Sequence, residues 1–164
     1  MIYSFAPIAE ANARCLILGS IPGKASLQAN QYYAHPRNQF WPLMTQLLVG
    51  DLNGNYQQRC QMLIEHRIAL WDVLQSCRRH SSLDADIEPA SMVSNPFVVF
   101  FAEHPQIETV FFNGATAEQS FRRQVLPNLE RELRLIKLPS TSPAHAAMRF
   151  EQKLQQWRVI VDSK

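Results

Sequence analysis

Charge is scarce in this chain: 18% of its 164 residues are Asp, Glu, Lys or Arg, and the formal net charge is +2. That excludes a basic tail or a strongly basic body, so any contact with a polyanion has to come from a local patch on a nearly neutral molecule. Cysteine is scarce too. Cys15, Cys60 and Cys77 are widely separated with no paired spacing, which argues against a disulfide framework and against the four thiolates of an iron–sulfur cluster. Cys15 falls in an apolar strand pattern and Cys60 in a helical one, where buried thiols are common; this usage suits a reducing cytoplasm. No apolar run approaches the roughly twenty residues a membrane helix needs. Residues 1–13 lack the basic start and apolar core of a secretory signal. The expectation is a soluble cytoplasmic protein that makes no membrane contact. At this length it should form one domain, 1–164, with a core large enough to need neither disulfide nor metal.

Four short apolar runs read as buried strands: 15–18, 68–71, 109–112 and 133–138. Each is followed by small or turn-forming residues. Helical patterns lie between them, with apolar residues at Phe40, Leu43, Met44, Leu47 and Leu48, and again at Cys60, Leu63 and Ile64. Asn95-Pro96 reads as a helix start, a capping side chain followed by proline at the first helical position. Further helices are expected over 116–125 and 146–161. Alternating strands and helices predict an α/β fold, a mostly parallel four-stranded sheet covered by helices on both faces. Residues just past the carboxyl ends of parallel strands gather along one edge. Segments 20–38, 72–79, 113–114 and 139–145 should therefore converge on one polar crevice.

Three of these segments carry chemistry. Gly19-Ser20-Ile21-Pro22-Gly23 permits a tight turn whose amides can approach a ligand. Lys24 is followed by Ala25, so the turn is no P-loop, and the third glycine of a dinucleotide fingerprint is missing. Residues 31–38 set Tyr32 and Tyr33 beside His35, Arg37 and Asn38, a set able to stack on a planar base and bond its edge, or to pack as a surface loop. Residues 138–145 place Ser140, Thr141 and Ser142 between two prolines, a stiff donor-rich loop suited to phosphate oxygens or to capping the next helix. On that helix Arg149 and Lys153 lie four apart and could face a nucleic-acid backbone together.

Taken together, GSIPG, SLQANQYYAHPRNQFW, ALWDVLQSCRRHSSLDADI, FFNG and LPSTSPAHA resemble, in order and from about Arg14 to Trp157, the DNA-deoxyinosine (hypoxanthine-DNA) glycosylase branch of the uracil-DNA glycosylase superfamily. The resemblance implies a three-layer α/β/α sandwich acting on DNA that contains deaminated bases, as a monomer and without metal or cofactor. In the mismatch-specific uracil branch the third position of the glycine loop is a water-positioning Asn. Ile21 stands there, and an alkyl group cannot orient water. In the deoxyinosine branch the polar role passes to the Asn of N-x-F-W, which is Asn38; its position also suits a helix N-cap. Such chemistry tolerates a neutral residue, because cleavage rests on stabilising developing charge and placing a water, whereas an amide is a poor general base.

By the same resemblance Ser20 and His145 join Asn38 as catalytic candidates. Gly19, Ile21, Pro22, Gly23, Tyr32, Tyr33, Phe40, Asp72 and Asn113 would hold the flipped base. For Phe40 core packing is the competing use; Asp72 either accepts from a purine N–H or caps the following segment. Ser140, Thr141, Ser142, Ala144 and Arg149 would meet DNA phosphates or the gap left in the stack. Where the uracil-specific branch has a base-gripping His, this chain has Leu138. Two readings from other classes compete: a Ser–His hydrolase using Ser20 or Ser142 with His35 or His145, which lacks the G-x-S-x-G elbow, and a catalytically silent DNA-binding module.

Overall fold

Alternation within the apolar runs decides the architecture. In the computed structural model, which describes residues 1–51 and 54–162, Leu16 and Leu18 enter one hydrophobic cluster while Ile17, between them, enters another. Val110 and Phe112 split from Phe111 in the same way. A strand buried on both faces must carry apolar residues at every position, which is why these runs read as continuous rather than alternating. The strands are β2 (Cys15–Gly19), β3 (Ile68–Asp72), β6 (Thr109–Asn113) and β7 (Arg134–Leu138). They form one parallel sheet in the order β3-β2-β6-β7.

Helices α2 (Phe40–Leu48), α3 (Tyr56–Glu65) and α6 (Phe150–Trp157) cover one face, contributing Leu43, Met44, Leu63 and Trp157 to its core. Helices α4 (Phe97–Glu103) and α5 (Ala115–Gln124) cover the other with Phe97, Phe101 and Phe121. This is the three-layer α/β/α arrangement expected from the pattern. Cys77 is buried, and Cys15 and Cys60 are half-buried. Among the described residues no helix is long and apolar enough to cross a membrane.

Four local expectations are corrected. A second sheet, antiparallel and unforeseen, joins β1 (Ile2–Tyr3), β4 (Leu74–Cys77) and β5 (Val93–Ser94); two of its strands are too short to show a period. The glycine loop contains a short helix, α1 (Lys24–Ala29), ended by Asn30 in the left-handed conformation at φ 54°. Asn95 does not cap α4. It is buried, and its Nδ2 donates to the Asp72 carbonyl at 2.7 Å, fastening the end of β3. The final helix starts at Phe150 rather than 146 and gives way at Arg158 to a separate turn, α7 (Val159–Asp162). Residues 146–149 lie outside the helix, and the Lys153 ammonium holds the His145 carbonyl before them at 2.8 Å. Lys153 is buried while Arg149 is exposed, and the two do not face a common backbone.

Candidate functional site

The parallel register brings Gly19 opposite Asp72 and Asn113 opposite Leu138, so the loops that leave these strands share one edge. There they enclose a cavity of about 670 Å³, within the size range of small-molecule sites. Gly19, Ser20, Ile21, Pro22 and Gly23 form one wall. Tyr32, Tyr33, His35, Arg37 and Asn38 form the second, with Asp72 and Asn113 at the strand ends. Ser140, Ser142, Pro143, Ala144 and His145 complete the mouth.

Three of the expected site residues do not line this cavity. Phe40 is fully buried in the core beneath it, stacked on Tyr33 with ring centroids 4.3 Å apart, and supports the wall from behind. Thr141 is fully buried as well: Asn113 Nδ2 donates to its Oγ1 at 2.9 Å, and its own N–H donates to Asn113 Oδ1 at 2.9 Å. The Asn113 carbonyl oxygen and one of its N–H groups thus anchor the loop, whose Thr141 carbonyl also accepts from Gln39 N–H at 3.0 Å. The Trp157 indole grips the Pro139 carbonyl at 2.9 Å. A loop tied at so many points presents Ser140, Ser142 and the exposed His145 in a set geometry. Arg149 lies outside, at the N-cap of α6.

Asn38 stands one residue before Gln39, which takes the N-cap position of α2. Asn38 Oδ1 accepts from Phe40 N–H at 2.9 Å, as at the start of a helix, which leaves the NH₂ group for the cavity it lines. It can donate to a water or to a base, and cannot take a proton. Tyr32 spends its hydroxyl on the Ala6 carbonyl at 2.7 Å and offers only ring surface. Tyr33, held at a left-handed φ of 55°, turns its hydroxyl to the end of β2. That hydroxyl and Asp72 Oδ2 are both buried without a hydrogen-bond partner among the described residues. Burial first and Asp72 second push the Tyr33 hydroxyl far above its ordinary pKa, against a smaller pull from the Asn113 amide.

Asp72 is 3% exposed. Burial, with the Asp84 carboxylate adding repulsion and Arg79 opposing it, raises its pKa to about 7. Gly19 is required by this crowding: a Cβ there would lie 2.6 Å from Tyr33 Oη and 2.7 Å from Asp72 Oδ1. Gly19→Ala is therefore expected to cost about 1–3 kcal/mol of stability through overpacking, read by urea unfolding. An unchanged midpoint would mean that the two side chains are free to retreat.

The segment that carries part of the resemblance also supplies a wall, Ser82 to Ala85, whose residues were not among the expected site residues. Arg79 Nη2 donates to the Pro22 carbonyl at 2.7 Å, and Lys24 N–H donates to Ser82 Oγ at 2.9 Å. Ser20 Oγ donates to Asp84 Oδ1 at 2.7 Å, across 64 positions of sequence. The Asp84 carboxyl is raised in pKa by the desolvating walls, less the help of Ser20 and Arg79. The motif that spans this wall marks the segment, but the roles of Ser82 and Asp84 become readable only once it folds back over the glycine turn. Among the described residues neither the His35 nor the His145 imidazole bonds a serine hydroxyl: His35 Nδ1 accepts from Arg37 N–H at 3.0 Å, His145 meets Ser142 only through its backbone N–H, and Ser20 is bound to Asp84. The serine-hydrolase reading lacks its base.

A polar cavity at the carboxyl edge of a parallel sheet, walled by glycine turn, aromatics and hydroxyl loop, defines a ligand-binding α/β protein with its site where the strand topology puts it. Known proteins narrow the class. The model of the Uracil DNA glycosylase superfamily matches residues 6–161. A Methanosarcina barkeri protein named Hypoxanthine DNA glycosylase is 38% identical over 111 residues, spanning 67% of this chain and 69% of its own. Its namesake from Methanosarcina acetivorans is 30% identical over 158 residues, 95% of each chain. The solution NMR structure of a candidate uracil DNA glycosylase from Methanosarcina acetivorans superposes with a TM-score of 0.81 at 28% identity, covering 98% of this chain and 96% of that one. The chain belongs to the uracil DNA glycosylase superfamily.

Proposed function

We propose that this protein is a monofunctional DNA glycosylase that releases hypoxanthine from deoxyinosine in DNA, by flipping the nucleotide and letting water attack the sugar. The observation that carries this reading is the cavity itself: a pocket with an aromatic wall, an amide donor at Asn38 and two buried polar atoms left unpartnered at its floor. Polar groups buried without partners cost stability, and a bound base supplies the missing hydrogen bonds. The relatives named Hypoxanthine DNA glycosylase point to the same base. Leu138, buried at 3% exposure where a uracil reader carries His, weighs against uracil specificity.

In this reading Tyr33 and Tyr32 wall the base, with Phe40 supporting Tyr33 from the core. The Asn38 NH₂ grips the base or the attacking water, with Ser20 and His145 beside it. The main chain and hydroxyls of Ser140, Ser142 and Ala144 meet phosphates. Lys24 and Arg37 at the mouth, and Arg149 just beyond, supply the local positive charge that a net of +2 does not. Thr141 and Asn113 act by holding the loop.

Single-turnover incubation with matched oligonucleotides carrying one inosine or one uracil, in EDTA, tests the proposal. Strand breaks at inosine after alkali, and none before it, are expected. Breaks before alkali would identify a lyase, with Lys24 at the cavity as its first suspect. Abasic sites at uracil alone would change the base, and none with either base would leave a DNA-binding module.

A further inference from the structure

We propose that Asp72 is the general acid of this site, protonating the departing purine at N7. The inference rests on the functional reading above and assigns the step that the Asn38 amide, a donor with no proton to give, leaves unfilled. Asp72 ends β3 opposite Gly19, at the floor of the cavity. Its carboxyl has no hydrogen-bond donor on Oδ2, and no ion pair reaches it among the described residues. The cation that acts on it, Arg79, forms no ion pair with it. Arg79 turns its guanidinium to the carbonyls of Pro22 and Ser81. A carboxylate so enclosed lacks what would keep it charged, whereas the neutral acid loses little on burial.

The ionisable groups that face Asp72 are Asp84, Arg79 and the hydroxyls of Tyr33 and Tyr32. Asp84, on the wall that folds over the glycine turn, disfavours the anion, as does burial, and Arg79 favours it. The Tyr33 hydroxyl, also buried and unpartnered, adds no charge at neutral pH. The result is a carboxylic acid that titrates near neutrality, facing the space the base would fill. A catalytic acid is most effective when poised in this way.

The step balances. As the bond between C1′ and N9 breaks, its electron pair leaves with the base, and N7 takes the Asp72 proton, so hypoxanthine departs neutral. Water adds its oxygen to C1′ and gives up one proton to solvent, from which Asp72 is reprotonated. Nothing is oxidised or reduced, and the carboxyl is regenerated.

Single-turnover excision of hypoxanthine by the wild type and by Asp72→Asn, followed across about pH 5 to 9, tests this. The wild-type rate should fall about tenfold per pH unit above roughly pH 7, as the acid is lost. Asp72→Asn keeps the shape and a hydrogen-bond donor but has no acidic proton. It should be slower by about 100-fold at low pH and flat where the wild type falls. Unchanged affinity of Asp72→Asn for an oligonucleotide with 2′-fluoroarabino-inosine, whose fluorine resists cleavage, separates lost chemistry from lost fold. A variant that keeps the wild-type pH limb, or excises within about twofold of the wild-type rate, would overturn the assignment. Wild-type protein inert on inosine at every pH would instead overturn the functional reading beneath it.

Discussion

Asn38→Ala should lower the single-turnover rate of hypoxanthine release by about 10²- to 10³-fold, the usual loss on removing one preorganised donor from a reacting centre. The carbonyl half of this amide is fixed by Phe40 N–H, so the orientation of the NH₂ half is set before substrate arrives, and no reorganisation is needed when charge develops. The same bond complicates the alanine variant, which loses a helix-start contact worth about 1 kcal/mol. Asn38→Asp resolves the two contributions. Aspartate still accepts from Phe40 N–H but has no amide donor, so it should keep the wild-type melting temperature and share most of the kinetic loss. An aspartate variant as active as the wild type would reduce Asn38 to a helix-start contact.

Asp72→Asn should stabilise the protein above neutral pH and leave it unchanged near pH 4. The sign follows from linkage. The native carboxyl titrates near 7 and an unfolded one near 3.8, so between those values the folded state binds more protons than the unfolded. Wild-type stability therefore falls as pH rises through that window and stays low above it. Three units correspond to on the order of 4 kcal/mol, the cost of forcing a charge into a site that offers it no partner. Asparagine does not ionise and escapes that cost. Urea unfolding of both proteins at about pH 4 and pH 8 gives the difference directly. An equal difference at both pH values, or a variant weaker at the higher one, would mean that Asp72 is not held neutral. A gain in stability together with a loss of excision is what a functional group kept at a structural cost should show.

Much of this site lies in plain view along the chain. Gly19 to Gly23, the paired tyrosines, Asn38 and the Pro-Ser loop are contiguous motifs, and their convergence follows from lying just past the carboxyl ends of parallel strands. The roles within the site are less visible. Thr141 looks like Ser140 and Ser142 in a string of hydroxyls, yet Asn113, 28 positions away, buries it as an anchor. Phe40 looks like a base-stacking ring and is the support beneath one. Lys153 looks like a surface cation and is a buried clasp on the loop.

Local pattern was enough to read the layers, the four parallel strands and the edge where chemistry gathers, but not the short antiparallel sheet. Burial on both faces of a parallel sheet demands continuous apolar runs, and that demand is written locally. Which polar groups are spent and which remain available depends on long-range contacts. Asp84 reaches Ser20, Asn113 anchors Thr141, and Asp72 and Tyr33 are left without partners. A hydrogen bond satisfies its atoms wherever the chain brings them together, so a residue's remaining capacity depends on neighbours that no local pattern specifies.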